Sequence, residues 1–358
     1  MPAHARRSHR EYALTVIPHA GETIAGVAER VAAEVKARDA AIALMMVYGK
    51  ITACAEVEGW LRRRLGLPDW PVLYVEGAGC ANPVLAGIQI FAVDRHEPLQ
   101  RIVRDGRVAA TVFCDDDARH CLLGGLSPAD PAALRADQAR DFFAGAQAAL
   151  HEAGFTYGDL ARTWFYNDEI LSWYGDFNRV RTEFYLTQHF RSGSLPASTG
   201  IRGRNPRGAA LAFAGWAVVP AAGGALVQEV VSPLQCPAPA YGSSFSRAVE
   251  IVSGGRKRLL VSGTASIAAD GKTVWPGDVR KQIERTMEVV EAILQSRELT
   301  FGGVTRATAY FKHAGDAALF REWCAAHGWS GLPAVPVCCD VCRDDLLFEI
   351  ELDACAAV

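Results

Sequence analysis

Near the C-terminus the chain reads CRDDLLFEIELDA, from Cys342 to Ala354. At a period of two, Leu346, Phe348, Ile350 and Leu352 fall on one side of a strand. Leu347, Glu349, Glu351 and Asp353 fall on the other. A strand carboxyl can give up a proton near neutral pH only if burial disfavours its charged form. Periodicity alone describes a wet acidic face just as well. A few residues upstream, VCCDVC contains a CxxC at Cys339 and Cys342. No second CxxC or histidine pair follows at ligand spacing, so zinc is not expected. Residues three apart on a strand also point to opposite faces, which opposes a shared metal or disulfide there.

The rest of the composition narrows the function classes. Half of the 358 residues are hydrophobic and 22% are charged, which suits about two packed domains rather than a disordered chain. The net charge is −3 and no long basic block occurs, so neither nucleic acid nor an anionic membrane is the expected partner. No apolar run is long enough to span a bilayer. The opening stretch MPAHARRSHREYALTVIPHAGE lacks the apolar core of a secretory signal. A cytoplasmic protein with its ten scattered cysteines reduced is the expectation.

Two segments repeat. TYGDLARTWFY (Thr156 to Tyr166) and TFGGVTRATAY (Thr300 to Tyr310) match at Thr, Gly, Arg and Tyr with a constant offset. A helical stretch precedes each copy, and in the second Ile283, Met287, Val290 and Leu294 form an apolar stripe. An amphipathic helix and two strands follow each. The predicted unit is α+β, a mixed sheet with two helices on one face. Residues 105–231 would form the first unit and 243–358 the second, joined by a Pro-rich linker at 232–242. Residues 1–104 would extend and complete the first unit. Arg162 and Arg306 fall at repeat positions expected to be exposed, and Glu351 and Asp353 are expected at the surface.

The stretch from Tyr241 to Ala354, with GSSFSRAVEI, LLVSGTASI, LFREW and LLFEIELDA, resembles a domain of the RidA/YjgF (reactive-intermediate deaminase) family. The first copy resembles the same fold, with DFNRVRTEFY at the family's helix motif. The resemblance implies sheets whose helix-free faces meet in a trimeric barrel with clefts between units. It puts Phe348 and Ile350 under helices and Glu349 in a cleft, at the position of the family's functional glutamate. Two departures stand out. The family's substrate-gripping arginine is replaced at the matching place by Pro336, and the first copy has nothing ionisable from Gly208 to Val227.

A tandem pair carrying RTWFYNDEILSWYGDFNRVRTEFY, LPASTGIRGRNPRGAAL and CRDDLLFEIELDA is similar to the chorismatases, over roughly residues 105–354. These enzymes remove pyruvate from chorismate without a cofactor. The resemblance implies Glu349 as proton donor to the enolpyruvyl methylene and no metal. It also implies Arg321 as a substrate-binding arginine, with Arg247, Arg202 and Arg204 either ligands or surface residues. Arg181 and Tyr185 share one helix face, lining the cleft or packing the helix, and Asn178 would brace that wall. Gly255 and Cys342 resemble the signature of the 3-hydroxybenzoate-forming group. The rival readings are a hydrolytic chorismatase giving a dihydroxycyclohexadiene carboxylate, an imine deaminase and a ligand-binding protein without activity. The assembly is expected as a monomer of pseudo-symmetric domains or a homotrimer.

Overall fold

Three successive stretches of the chain build the same layer of sheet and helices, one more than the repeat indicates. The computed structural model describes residues 9–80, 82–96 and 98–358. The first eight residues, where the stretch read as lacking a secretory signal begins, lie outside these. The first unit runs β1 (Glu11–Val16), α1 (Ile24–Ala37), β2 (Ala40–Gly49), α2 (Cys54–Leu65), β3 (Val72–Glu76), β4 (Ala78–Gly79) and β5 (Leu85–Asp94). The second runs β6 (Gln100–Arg104), β7 (Arg107–Cys114), β8 (Ala118–Leu126), α3 (Arg135–Glu152), β9 (Leu160–Asn167), α4 (Ile170–Tyr185), β10 (Ala197–Arg202) and β11 (Leu211–Pro220). The third runs β12 (Leu226–Val230), β13 (Ala248–Ser253), β14 (Arg256–Ala265), α5 (Val279–Gln295), β15 (Val304–Phe311), α6 (Ala317–Ala326), β16 (Ala334–Cys338) and β17 (Phe348–Ala357).

The sheets are ordered β1-β5-β2-β3, β10-β9-β11-β8-β7-β6 and β12-β13-β14-β17-β15-β16-β4. In each, one parallel pair (β2/β3, β9/β10, β15/β16) is bridged by a helix, and an antiparallel strand returns beside it. The first hundred residues therefore do not complete the second unit's sheet. They form their own, because β1 pairs with β5 and not with any strand beyond residue 100. The expected boundaries shift as well. β12 lies before the Pro-rich stretch yet pairs with β13, so residues 232–242 fall inside the third unit. Among the described residues no helix is long and apolar enough to cross a membrane.

Each sheet has one face under its own helices and one face toward the other two sheets. Under α5 the stripe Ile283, Met287, Val290 and Leu294 is buried as its spacing requires, and Asp278 caps the helix by accepting from Lys281 N at 3.1 Å. The helix-free faces share one core, with Tyr48, Trp164 and Val335 among its contributors. β2, β9 and β15 are covered on both faces and buried almost throughout; β2 reads as a nearly unbroken apolar run, whereas β9 and β15 each carry a buried arginine and threonine among their apolar residues. Tyr48, Tyr166 and Tyr310, one from each unit, meet in this core. The Tyr48 and Tyr166 hydroxyls are 2.9 Å apart, and those of Tyr166 and Tyr310 are 3.5 Å apart.

This central position overturns the surface placement of four charged residues. Arg162, Arg306 and Glu351 are fully buried, and Asp353 nearly so. Arg306 Nε donates to Asp353 Oδ2 at 2.7 Å, and its two Nη atoms donate to the Glu351 oxygens at 3.1 Å. Arg162 and the Trp164 indole N–H both donate to Glu351 Oε2. The reason is parity: Arg162, Trp164 and Tyr166 project from one face of β9, and other sheets cover that face. Two guanidinium and two carboxylate groups balance, which makes their burial tolerable. Removing one partner leaves an uncompensated charge. Arg306→Ala is expected to cost about 3–5 kcal/mol. A control at the exposed Arg280–Glu322 pair should cost no more than about 1 kcal/mol. Denaturant midpoints of the two variants check this.

Candidate active site

Glu349 is the second residue of β17, opposite Tyr310 in the register with β15. It is 4% exposed and lies at the base of a cavity of about 620 Å³ between the second and third units. The walls come from α4 (Tyr174, Asn178, Arg181), β10 (Ser198, Gly200), β14 (Gly263, Ala265), the segment leading into β13 (Tyr241, Phe245, Arg247) and the segment before β17 (Cys342, Arg343). All of these belong to one chain. The seam closes through hydrogen bonds from Ser198 N to Ser262 Oγ at 2.8 Å and from Ser246 N to Pro196 O at 3.0 Å.

Burial pushes the Glu349 carboxyl up to about 8, and the ionised Glu351 two residues along adds to the rise. Arg162, Arg247 and Arg343 oppose it from further away. Glu351 goes the other way and is held at about 2, because Arg306 and Arg162 outweigh its burial. One strand thus carries two buried carboxyls of opposite protonation at neutral pH, a pattern that separates acid from structural anion. Room for the Glu349 carboxyl exists because residue 263 is glycine. A Cβ there would overlap Glu349 Oε1.

Four arginines line the same space; Arg179 is ion-paired to Asp176 and Glu183, and the other three are Arg181, Arg247 and Arg343. Arg181 is 1% exposed, donates to Asn178 Oδ1 at 2.6 Å and has a buried Nε without a partner. Arg247 donates from Nε and Nη2 to Cys236 O at 3.0 and 2.9 Å, and Arg343 donates to Gly271 O at 2.8 Å. The Tyr241 ring lies 5.3 Å from both Arg247 and Arg343, which steadies them. Among the described residues none of the three has a carboxylate partner, so the cavity is set to hold an anion. Cys342 lines the wall with its thiol pushed up to about 12 by burial and then by Glu349, so it is a neutral, small side chain and not a nucleophile.

Glu349, Cys342, Arg247, Arg181 and Asn178 are therefore brought together. Five other candidates are not. Arg321 is exposed on α6, one residue beyond Phe320, which points into the core. Arg202 stands past the cavity on β10 and pairs with Asp340 at 3.0 Å, and Arg204 pairs with Glu76. Tyr185 packs on Tyr157 and Phe190 inside the second unit, since α4 turns Arg181 and Tyr174 toward the cavity instead. Gly255 sits at φ +67° in the β13–β14 turn, where an added Cβ would meet nothing. It cannot shape the cavity. The Pro336 argument also moves. By register Gly200 is the second unit's counterpart of Pro336, and Gly200 is the one facing Glu349, with the Tyr174 hydroxyl filling its side-chain space. Tyr174, Tyr241, Phe245, Gly263 and Arg343 carry no local signal and were missed. The burial of Arg162 was legible, because it alternates with Trp164 and Tyr166.

A different cluster, Glu11, Asp115 and His120, has the composition of a cation site. Arg258 already supplies the cation, 2.6 Å from Glu11 and 3.6 Å from Asp115. With Ser253 donating to Asp115 at 2.6 Å, this cluster ties the three units together at the far end of the core.

The folded carboxyl of Glu349 keeps a proton that the unfolded one, with an ordinary value of 4.5, has released. Its contribution is complete below pH 4.5 and is lost as pH rises through about 8. The stability of wild type relative to Glu349→Gln should fall across that window in pH-dependent denaturation. Glu351→Gln removes the neighbouring charge and is expected to move the Glu349 titration downward, as read by carboxyl carbon NMR.

No protein-family model matches the chain. It is 28% identical over 227 residues to a 3-hydroxybenzoate synthase of Streptomyces hygroscopicus, covering 55% of this chain and 64% of that protein. It is 29% identical over 238 residues to a chorismatase of the same organism, covering 58% and 67%. A RutC family protein of Pyrococcus abyssi matches at 26% over 128 residues, which is 35% of this chain and 95% of that one. A chorismatase crystal structure superposes with a TM-score of 0.70 over 97% of this chain and 99% of the other, at 18% identity. The match to the synthase spans just under two-thirds of that protein's length. The chain has the chorismatase fold and is related in sequence to the chorismatases.

Proposed function

We propose that this chain is an enzyme that converts chorismate to 3-hydroxybenzoate and pyruvate. The observation that carries the reading is a buried carboxyl kept neutral at the base of a cavity in which three of the four lining arginines have no carboxylate partner among the described residues. Chorismate is a dianion with an enolpyruvyl ether, and it needs what this cavity holds: cationic grips and one proton donor. The cavity volume lies within the usual range for small-molecule sites, about 300–1,000 Å³. The kinship to proteins named 3-hydroxybenzoate synthase and chorismatase points to the same substrate.

In the proposed reaction Arg181, Arg247 and Arg343 hold the two carboxylates. Glu349 gives its proton to the enolpyruvyl methylene, and the enol ether becomes an oxocarbenium ion. The C4 hydroxyl oxygen attacks C3, the C3–O bond breaks, and its electrons form the carbonyl of pyruvate. The hydroxyl proton returns to the Glu349 carboxylate. The remaining arene oxide opens and aromatises to 3-hydroxybenzoate. Internal capture needs the oxocarbenium ion kept from water, and the neutral Cys342 thiol and the Tyr174 and Phe245 rings make that part of the wall apolar.

Incubation of the protein with chorismate in EDTA, followed by chromatography and mass analysis, tests this. Pyruvate and 3-hydroxybenzoate are expected in equal amounts. Glu349→Gln should lower kcat by about 10²–10⁴ while chorismate still binds. For wild type, kcat/KM should fall tenfold per pH unit above about 8, where the acid is lost. Unchanged turnover in Glu349→Gln would remove the acid from the mechanism. With Gly255 outside the cavity, Cys342 is the remaining residue of the two that favour 3-hydroxybenzoate, and hydrolytic release of pyruvate is the second reading. A non-aromatic diol among the products would select it.

A further inference from the structure

The three units make three clefts, and their contents differ. Tyr310 pairs with Glu349 across the third sheet, and Tyr166 pairs with Ala212 across the second. Ala212 thus replaces the acid by register in the second unit, so no counterpart of Glu349 serves the seam between the first and second units. That seam nonetheless holds a cavity of about 510 Å³, close in size to the one containing Glu349, with Ala212 not among its lining. Its walls correspond in part: α2 and β3 stand where α4 and β10 stand, β8 where β14 stands, and Arg207 comes from the loop before β11 as Arg343 comes from the loop before β17, but the β6–β7 hairpin, residues 103–109, closes it where the segment before β13 closes the other. A further cavity, lined by residues of all three units, holds Lys50, Arg202, Arg204 and Lys312, and the last three are ion-paired, to Asp340, Glu76 and Asp344.

The charges of the 510 Å³ cavity are not closed in this way. Arg62, Arg104, Arg107 and Arg207 line it against Glu58 and Asp105. Arg104 is engaged by Glu152, whereas Arg62, Arg107 and Arg207 have no carboxylate within ion-pair distance among the described residues. Arg207 donates only to Ser127 Oγ, at 3.0 Å. Burial and then the like charge of Arg107 weigh against its charged form, which a bound anion would relieve. Apolar side chains lie beside these arginines. Leu67 and Val103 line the cavity at 75% and 59% exposure, with Trp70 behind them. Cationic donors beside exposed hydrophobes suit an amphipathic anion rather than inorganic phosphate.

We propose that the cleft between the first and second units is a second small-molecule site, which takes an organic carboxylate with an apolar or aromatic body and leaves it unchanged. The site is independent of the chemistry assigned to Glu349.

Calorimetric titration of the full chain with benzoate tests it. Wild type is expected to bind two equivalents, one in each cavity. Arg107→Ala with Arg207→Ala should weaken one of them at least tenfold, and Leu67→Glu, which places a like charge on an exposed position, should do the same. Arg247→Ala should affect only the other equivalent. Turnover of chorismate by the Arg107/Arg207 double variant should stay within twofold of wild type. The site is refuted if benzoate binding is unchanged in both the double variant and Leu67→Glu, or if wild type binds a single equivalent that Arg247→Ala abolishes.

Discussion

The buried charge of Glu351 is the constraint around which the molecule is arranged. A carboxylate without water must be met on both oxygens, and here Arg162 from the second unit and Arg306 from the third meet it, with the Trp164 indole. Arg306, on the sheet that carries Glu351, meets both oxygens, and Arg162 and Trp164 add their donors to one of them once the second unit has docked. Docking of the units thus completes the partners of the ion. The same charge reaches two residues along β17 and helps keep Glu349 neutral. The packing of the core thereby sets the protonation of the proposed acid.

Repetition supplies the scaffold, and divergence supplies the chemistry. Three tyrosines keep their places in the core, while the position of Glu349 is an alanine in the second unit and, by the pairing of Tyr48, Gly87 in the first. Among the described residues, one cleft therefore combines the proposed proton donor with unpaired arginines. Glycine has a separate role at each seam. Gly263 leaves room for the Glu349 carboxyl, whereas Gly125, at φ +68°, is approached by the Val72 carbonyl instead. Closely similar folds are thus used once to admit a reactive side chain and once to let two backbones meet.

The legible part of the fold was local. Spacing of Ile283, Met287, Val290 and Leu294 was enough for α5, and the Thr, Gly, Arg and Tyr match was enough to reveal two units. The first unit escaped notice because only Tyr48 of that pattern survives in it, with Leu44 where the others have arginine. Its strands still pair as the others do, since pairing depends on backbone and burial rather than on those four side chains. The site was legible where a resemblance pointed to single positions, as for Glu349 and Arg247. It failed for Arg202, Arg204 and Gly255, whose distances from the cavity depend on how far a strand or turn runs past a neighbouring unit, and for Arg321, which α6 turns to solvent.

Alternation along residues 346–353 determined from sequence alone that Glu349, Glu351 and Asp353 share one face of a strand. It could not determine what lies against that face. In the tertiary structure the face is covered by two other sheets, and Glu351 and Asp353 become ion-paired core. Glu349, at the start of the same strand, looks into a cleft. A side chain's direction follows from the two-residue period of its own backbone, but its solvation and protonation follow from atoms brought near it by distant parts of the chain.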